Sequence, residues 1–315
     1  MPEPIALWPG KRESFAGRSI FVRRDRPPDS FTGDAAQRDR AVYVHGLGGA
    51  STNWTDLMGA LCADVAGEAP DLPGFGQSPP PDDGAYGLDA QAAVVTDLVE
   101  AGGRPVHLLG NSMGGAVAVR VAASSPHLVR SLTLLSPALP DLWPRLIPYQ
   151  MTGALIPFLG PAVYARMQSR PPEVRLQDTL NTTYFDPSTA HAQRISEALE
   201  AERERENHGH AHTATLESLR SLVAEYVRRG AHSLWRQAAR VHCPTLLVFG
   251  FNDRFVNPLI ARRAARTFPR NRVVMMPETG HLPMMEHPVR VSRLVRPFLL
   301  EHSGGGRDRR AGRRR

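Results

Sequence analysis

Gly110-Asn111-Ser112-Met113-Gly114 is the stretch that decides the fold, because it places a serine between two glycines. The apolar run 106–109 precedes it and predicts a strand, whereas the small residues 115–119 that follow predict a helix. A strand that turns at once into a helix brings the two elements so close that side chains are not tolerated at positions 110 and 114. The pattern therefore predicts a nucleophile elbow, with the Ser112 hydroxyl held above a sheet at the N-terminus of a helix.

A serine at such an elbow needs partners, because its hydroxyl is a weak nucleophile near neutral pH. It requires a base within hydrogen-bond reach and a carboxylate that orients the base. Two later apolar runs, 245–250 and 272–276, predict buried parallel strands, and Asp253 and His281 follow them in the next loops. Because the loops after parallel strands gather at one edge of the sheet, we expect Ser112, Asp253 and His281 to form a catalytic triad.

Strand and helix patterns alternate through the first half of the chain. We predict an antiparallel strand or hairpin over 15–23, strands over 41–44, 63–66 and 131–135, and helices over 54–62 and 90–101. This alternation is typical of an α/β protein with a doubly wound, mostly parallel sheet.

In its elbow and in the chain order serine, aspartate, histidine, the sequence resembles the α/β-hydrolase superfamily. The resemblance extends to the loop His45-Gly46-Leu47-Gly48-Gly49 and to the segment 71–78, and it covers nearly the whole chain outside the middle and the tail. It implies that the backbone N–H groups of Leu47 and Met113 form the oxyanion hole. It also implies the α/β-hydrolase fold, in which a helical cap is inserted into the sheet domain.

The middle of the chain interrupts the alternation, because residues 138–236 show helix-like segments and many prolines but no strand pattern. We therefore expect residues 1–137 and 237–302 to form the core, 138–236 a helical cap, and 303–315 a disordered, Arg-rich tail. The apolar stretch 142–159 is expected to pack on the core and partly to face the cleft. On this basis the expected substrate-pocket residues are His45, Gly46, Leu146, Ile147 and Leu282.

Rival residues exist for two of the catalytic roles. Asp141 follows the strand after the elbow and is an alternative orienting carboxylate, but the loop 250–256 around Asp253 matches the commoner pattern of the superfamily. Arg254 is placed either to stabilise the Asp253 carboxylate or to point into solvent. His287 falls at the start of the predicted final helix and is not expected to act as the base.

Composition excludes several classes of partner. Six Arg and one Asp in residues 303–315 give a net charge of +5, which leaves +2 of the total +7 for the rest, so no specific nucleic-acid partner is expected. The histidines around 208–212 have no carboxylate or thiolate ligands beside them in the sequence, and we expect no metal site there.

Cys62 and Cys243 are expected to be small buried hydrophobes. With neither a signal-peptide pattern nor a transmembrane stretch in the sequence, we expect a cytoplasmic location.

The expected chemistry is acyl transfer without cofactor or metal, on a carboxylic ester with a small to medium apolar acyl group. Hydrolysis of a carbon–carbon bond in ring-fission products is an alternative, because relatives with that activity also carry Gly-Asn-Ser-Met-Gly-Gly. The same fold also allows a cofactor-free haloperoxidase-like enzyme or a small-molecule receptor, since a fold does not fix a function.

Overall fold

The computed structural model describes residues 5–34, 37–141, 166, 169–206 and 209–304. The strands in this part of the chain are β1 Gly10–Phe15, β2 Arg18–Arg24, β3 Asp39–Val44, β4 Val65–Pro70, β5 Val106–Asn111, β6 Val129–Leu135, β7 Thr245–Gly250 and β8 Asn271–Met276. They form an eight-stranded sheet in the order β1-β2-β4-β3-β5-β6-β7-β8. β2 pairs antiparallel with both β1 and β4, and every other neighbouring pair is parallel.

Helices connect the parallel strands and cover both faces of the sheet. Numbered over the described residues, they are α1 Thr55–Leu61, α2 Leu88–Ala101, α3 Met113–Ser124, α4 Pro172–Thr183, α5 Ala192–Glu206, α6 Ala211–Ala224, α7 Leu234–Ala238, α8 Ile260–Thr267, α9 Pro283–Glu286 and α10 Pro288–Glu301. Four of these helices, α4 to α7, lie between β6 and β7. α7 crosses position 236, where the sequence predicts the end of the cap, and it packs against α3.

The core consists of two layers, one on each face of the sheet. Because side chains alternate along a strand, Val42 and Val44 of β3 face one layer and Ala41 and Tyr43 face the other. The first layer contains the buried faces of α2, α3, α7 and α8, and the second contains those of α1 and α10. The inner strands β5 and β7 are buried along their whole length, as both faces are covered.

The structure confirms the predicted fold class and most of the predicted elements. The early hairpin turns at Ala16 and Gly17, both with positive φ, which is the two-residue turn that suits the twist of paired strands. The strand expected over 63–66 was misplaced and begins at Val65. Asp64 N–H still donates to Leu61 O in the turn after α1, so the strand starts later. The strand continues through Glu68, a charged residue that interrupts the apolar pattern and whose carboxylate is buried in ion pairs with Arg24 and Arg40.

Gly114→Ala should destabilise the protein, because a Cβ at this position would overlap the carbonyl oxygens of Val44 and His45. Relieving such overpacking requires a backbone shift, and we expect the thermal midpoint to fall by roughly 5–10 °C. Gly209→Ala is the matched control, since a Cβ there meets nothing within 4 Å. Equal midpoints for the two variants, measured by circular dichroism, would contradict the close packing at Gly114.

Candidate active site

The turn between β5 and α3 holds Ser112 in a conformation that side chains rarely adopt. Its φ of 51° and ψ of −118° lie outside the favoured regions, and strain of this kind costs about 1–3 kcal/mol. Backbone hydrogen bonds hold the turn in place: Ser112 N–H donates to Leu135 O at 3.2 Å, and Ala138 N–H donates to Ser112 O at 2.9 Å. Leu135 ends the neighbouring strand β6 and Ala138 follows it, so the sheet itself fixes the serine.

His281 and Asp253 come together at the carboxyl ends of β8 and β7. The Nδ1–H of His281 donates to Asp253 Oδ2 at 2.9 Å, and both side chains are buried. The other oxygen, Oδ1, accepts hydrogen bonds from the backbone N–H groups of Phe255 and Val256 at 2.8 and 2.9 Å. With its Nδ1 proton engaged, the imidazole has only Nε2 left to act as a proton acceptor.

The carboxylate that holds the imidazole is Asp253 rather than Asp141. Asp141 lies on the wall of the same cavity as Ser112 and His281, but the Nδ1–H of the ring donates to Asp253. Arg254 is exposed and its guanidinium donates to Asn181 O, on α4, so it turns away from the Asp253 carboxylate. The ring of Phe255 packs on the imidazole instead, with the centroids 4.8 Å apart.

Ser112 and His281 both line one cavity of about 480 Å³. No hydrogen bond joins the Ser112 hydroxyl to the imidazole within the described structure. Such bonds are often long before substrate binds. Gly46, Leu47 and Leu282 also line the cavity, whereas the expected wall residues Leu146 and Ile147 lie outside the described residues, as does the whole stretch 142–159.

The expected placement of His45 in the pocket was wrong. Its side chain is fully buried and is not part of the described cavity wall. Its ring joins two loops: Nδ1–H donates to Gly46 O at 2.8 Å, and Nε2 accepts from Leu72 N–H at 2.9 Å. Burial lowers the pKa of His45, which favours the neutral ring that this arrangement requires.

The loop after β3 passes close to the elbow. A Cβ at Gly46 would lie 3.1 Å from Ser112 Cβ, so the loop and the serine are in near contact. Among the described residues, the backbone N–H groups of Leu47 and Met113 donate to no acceptor. Two unsatisfied donors near an elbow serine are what an oxyanion site requires.

Several wall residues were missed in the sequence analysis. Leu219, Leu222 and Val223 of α6 and the following Tyr226 line the cavity. Their spacing of three, four and seven residues is the signal of one helix face, and it could have identified them. Asn111 was missed as well: its amide donates to Leu135 O and His281 O at 3.0 and 3.1 Å, which ties the elbow to the histidine loop.

Other expectations concern metals, cysteines and membranes. Over the residues that the structure describes, no group of three potential metal ligands occurs, and no helix is long and apolar enough to cross a bilayer. Cys62 and Cys243 are both free thiols. Of the predicted tail, only Ser303 and Gly304 are described.

The known proteins to which this chain is similar include a lipase, a second hydrolase and a phospholipase. Lipase 3 of Moraxella sp. is 29% identical to this chain over 251 residues, which is 78% of this chain and 72% of the lipase. A 2-hydroxy-6-oxononadienedioate/2-hydroxy-6-oxononatrienedioate hydrolase of Pseudomonas putida is 26% identical over 271 residues, covering 83% and 87% of the two chains. The crystal structure of a membrane phospholipase A superposes with a TM-score of 0.71 at 25% identity, covering 92% and 85%.

The family assignment rests on a match that spans most of the sheet. The sequence model of the alpha/beta hydrolase family matches residues 41–294, from β3 into α10. Both the elbow and the loops that carry Asp253 and His281 fall inside this range. The chain belongs to the alpha/beta hydrolase family.

Proposed function

We propose that this chain is a serine hydrolase that cleaves carboxylic esters of small to medium apolar acyl groups through an acyl-enzyme. The observation that carries the proposal is the cavity in which Ser112 and His281 face a largely apolar wall. Residues 138–236 are the cap in this proposal, and their described part supplies α6 as that wall. Neither a metal nor an organic cofactor takes part in the proposed reaction.

In the first half of the proposed reaction, His281 Nε2 takes the Ser112 proton while Oγ attacks the ester carbonyl carbon. The carbonyl oxygen becomes an oxyanion, which the N–H groups of Leu47 and Met113 bind. Asp253 keeps the proton on Nδ1 and stabilises the imidazolium. Collapse of the intermediate expels the alcohol, which takes its proton from His281, and leaves the acyl group on Ser112.

Water completes the reaction in the second half. His281 Nε2 removes a proton from the water as its oxygen attacks the acyl carbon, and the same two N–H groups bind the new oxyanion. When this intermediate collapses, Ser112 Oγ regains the proton from His281 and the carboxylic acid leaves. The site returns to its starting protonation state.

An ester is favoured over a ring-fission product by the charge of the cavity wall. Ring-fission substrates carry a carboxylate, and burying it without a cationic partner is costly. The wall formed by the described residues includes no Arg or Lys. A neutral apolar ester suits this wall better. The similarity to the Pseudomonas putida hydrolase keeps carbon–carbon cleavage as the second candidate.

The sequence-based expectations about location and partners stay predictions. These are a cytoplasmic location, the absence of a specific nucleic-acid partner and an apolar small-molecule ester as the substrate.

Ser112→Ala should lower ester turnover by roughly 10⁴–10⁶-fold, as removal of the nucleophile does in other triads.

A fluorophosphonate probe should label Ser112 in the wild type, and His281→Ala should prevent the labelling because the hydroxyl then lacks its base. His287→Ala is the matched control, since that ring bonds to Glu278 O at 2.8 Å on the surface. Peptide mapping by mass spectrometry locates the adduct; normal labelling of the His281 variant would contradict the assignment.

The acyl-chain preference should follow the apolar wall. Each buried methylene contributes about 0.8 kcal/mol, so kcat/KM should rise about fourfold per carbon from acetate upward until the cavity is full. Leu222→Ser should flatten this rise, because it makes the wall polar. Leu300→Ser, at a leucine that is 48% exposed on α10, should leave it unchanged. A flat wild-type ester series together with efficient turnover of a carboxylate-bearing dienone would favour the carbon–carbon hydrolase.

A further inference from the structure

Glu286 on α9 is a buried carboxylate held by backbone N–H groups. Only 2% of the residue is exposed, and within the described part of the chain no cationic side chain forms an ion pair with it. Its Oε1 and Oε2 accept from Gly280 N–H at 2.9 and 3.1 Å, and Oε2 also accepts from Phe185 N–H at 2.8 Å. Burial raises the pKa of Glu286, while these backbone bonds oppose the rise.

The two donors belong to different parts of the fold. Gly280 precedes His281 in the loop after β8, whereas Phe185 follows α4 in the segment inserted between β6 and β7. A second link runs beside the carboxylate, since His281 N–H donates to Thr183 O at 2.6 Å. The contact is close: a Cβ at Gly280 would overlap Thr183 O. The histidine loop therefore rests directly on residues 183–185.

Burying a glutamate in this position costs free energy. A buried carboxylate loses its hydration, and here only neutral donors replace the water. A carboxylate offers acceptor sites on both oxygens, so Glu286 accepts from Gly280 N–H with both oxygens and from Phe185 N–H with Oε2. Glutamine has only one acceptor oxygen, and its NH₂ group would face the N–H of Gly280 at either position. The arrangement thus depends on the carboxylate itself.

We propose that Glu286 is a positioning residue that fixes His281 by tying the turn before it to residues 183–185. The inference rests on the proposed role of His281 as the base. Thr179 and Thr183 of α4 line the cavity, so the wall that contacts substrate and the loop that carries the base are held as one unit. Glu286 acts through the imidazole and touches no reacting atom.

Glu286→Gln tests the proposal directly. We expect kcat to fall about 10- to 100-fold with KM changed less than threefold, since small displacements of a catalytic group have effects of this size. Inactivation by the fluorophosphonate should slow in parallel. Glu301→Gln is the matched control, because its carboxylate pairs with Arg272 on the surface at the far end of α10. All rates are measured at least 15 °C below the thermal midpoint of each variant.

A second pair of variants removes only the donor on the inserted segment. Phe185→Pro deletes the N–H that binds Glu286, and the extended Tyr184 before it, with ψ of 150°, is compatible with a following proline. Phe185→Ala keeps the N–H and removes the ring. We expect Phe185→Pro to reproduce the loss of kcat and Phe185→Ala to retain wild-type kcat. Combined with Glu286→Gln, the proline should add little further loss.

The outcomes separate this inference from the proposed function. If the fluorophosphonate fails to label Ser112 in the wild type, the proposed function is wrong. If the wild type is labelled and Glu286→Gln reacts at the wild-type rate with unchanged kcat, Glu286 positions nothing. A Glu286→Gln loss confined to KM, or a Phe185→Ala loss equal to that of Phe185→Pro, would also overturn the inference.

Discussion

The close contact between the start of α3 and the end of β3 is the constraint on which the candidate site depends. Gly114 has room for a hydrogen only, because the carbonyl oxygens of Val44 and His45 press against it. This contact brings the N-terminus of α3 beside the loop that carries Leu47. Two backbone N–H groups, which have no acceptor among the described residues, and the Ser112 hydroxyl then lie at one end of the sheet. The strained backbone of Ser112 follows from the same packing, and the hydrogen bonds to β6 and beyond hold it.

Buried polar side chains fix the loops around the candidate site. Asp71 accepts from Ser51 N–H and Gln77 N–H at 2.6 and 2.8 Å, which ties the segment after the Leu47 loop to the loop after β4. Asn111 and Glu286 do the same for the histidine loop. Each of these groups bonds to backbone atoms, so each one specifies a chain path and leaves the neighbouring side chains free to vary. Rigid support of this kind is what a preorganised site requires.

The sequence was most informative where a local rule admits few solutions. The glycines around Ser112 and the chain order of Ser112, Asp253 and His281 predicted the fold class. They also predicted that these three side chains lie close together, and the structure places them at one edge of the sheet. The sequence was least informative where burial depends on distant partners. The strand predicted over 63–66 stops before Glu68, whose carboxylate is buried in ion pairs with Arg24 and Arg40. His45 was expected in the pocket, whereas its ring bonds to two loops. The role of Glu286 depends on Phe185, 101 residues away, and no local pattern could show it.

The proposed specificity follows from the two kinds of discrimination that an apolar wall permits. One methylene more or less changes binding in such a pocket by only about 0.8 kcal/mol, so neighbouring acyl lengths are separated weakly. A substrate carboxylate faces a different barrier, because it would lose its hydration and gain no cation from the described wall. The cavity should therefore distinguish neutral from anionic substrates more sharply than short from long ones. Because α4 both lines this cavity and, through residues 183–185, supports the loop of His281, a substrate that distorts the wall should also disturb the base. Poorly fitting substrates are thus expected to lose kcat as well as binding.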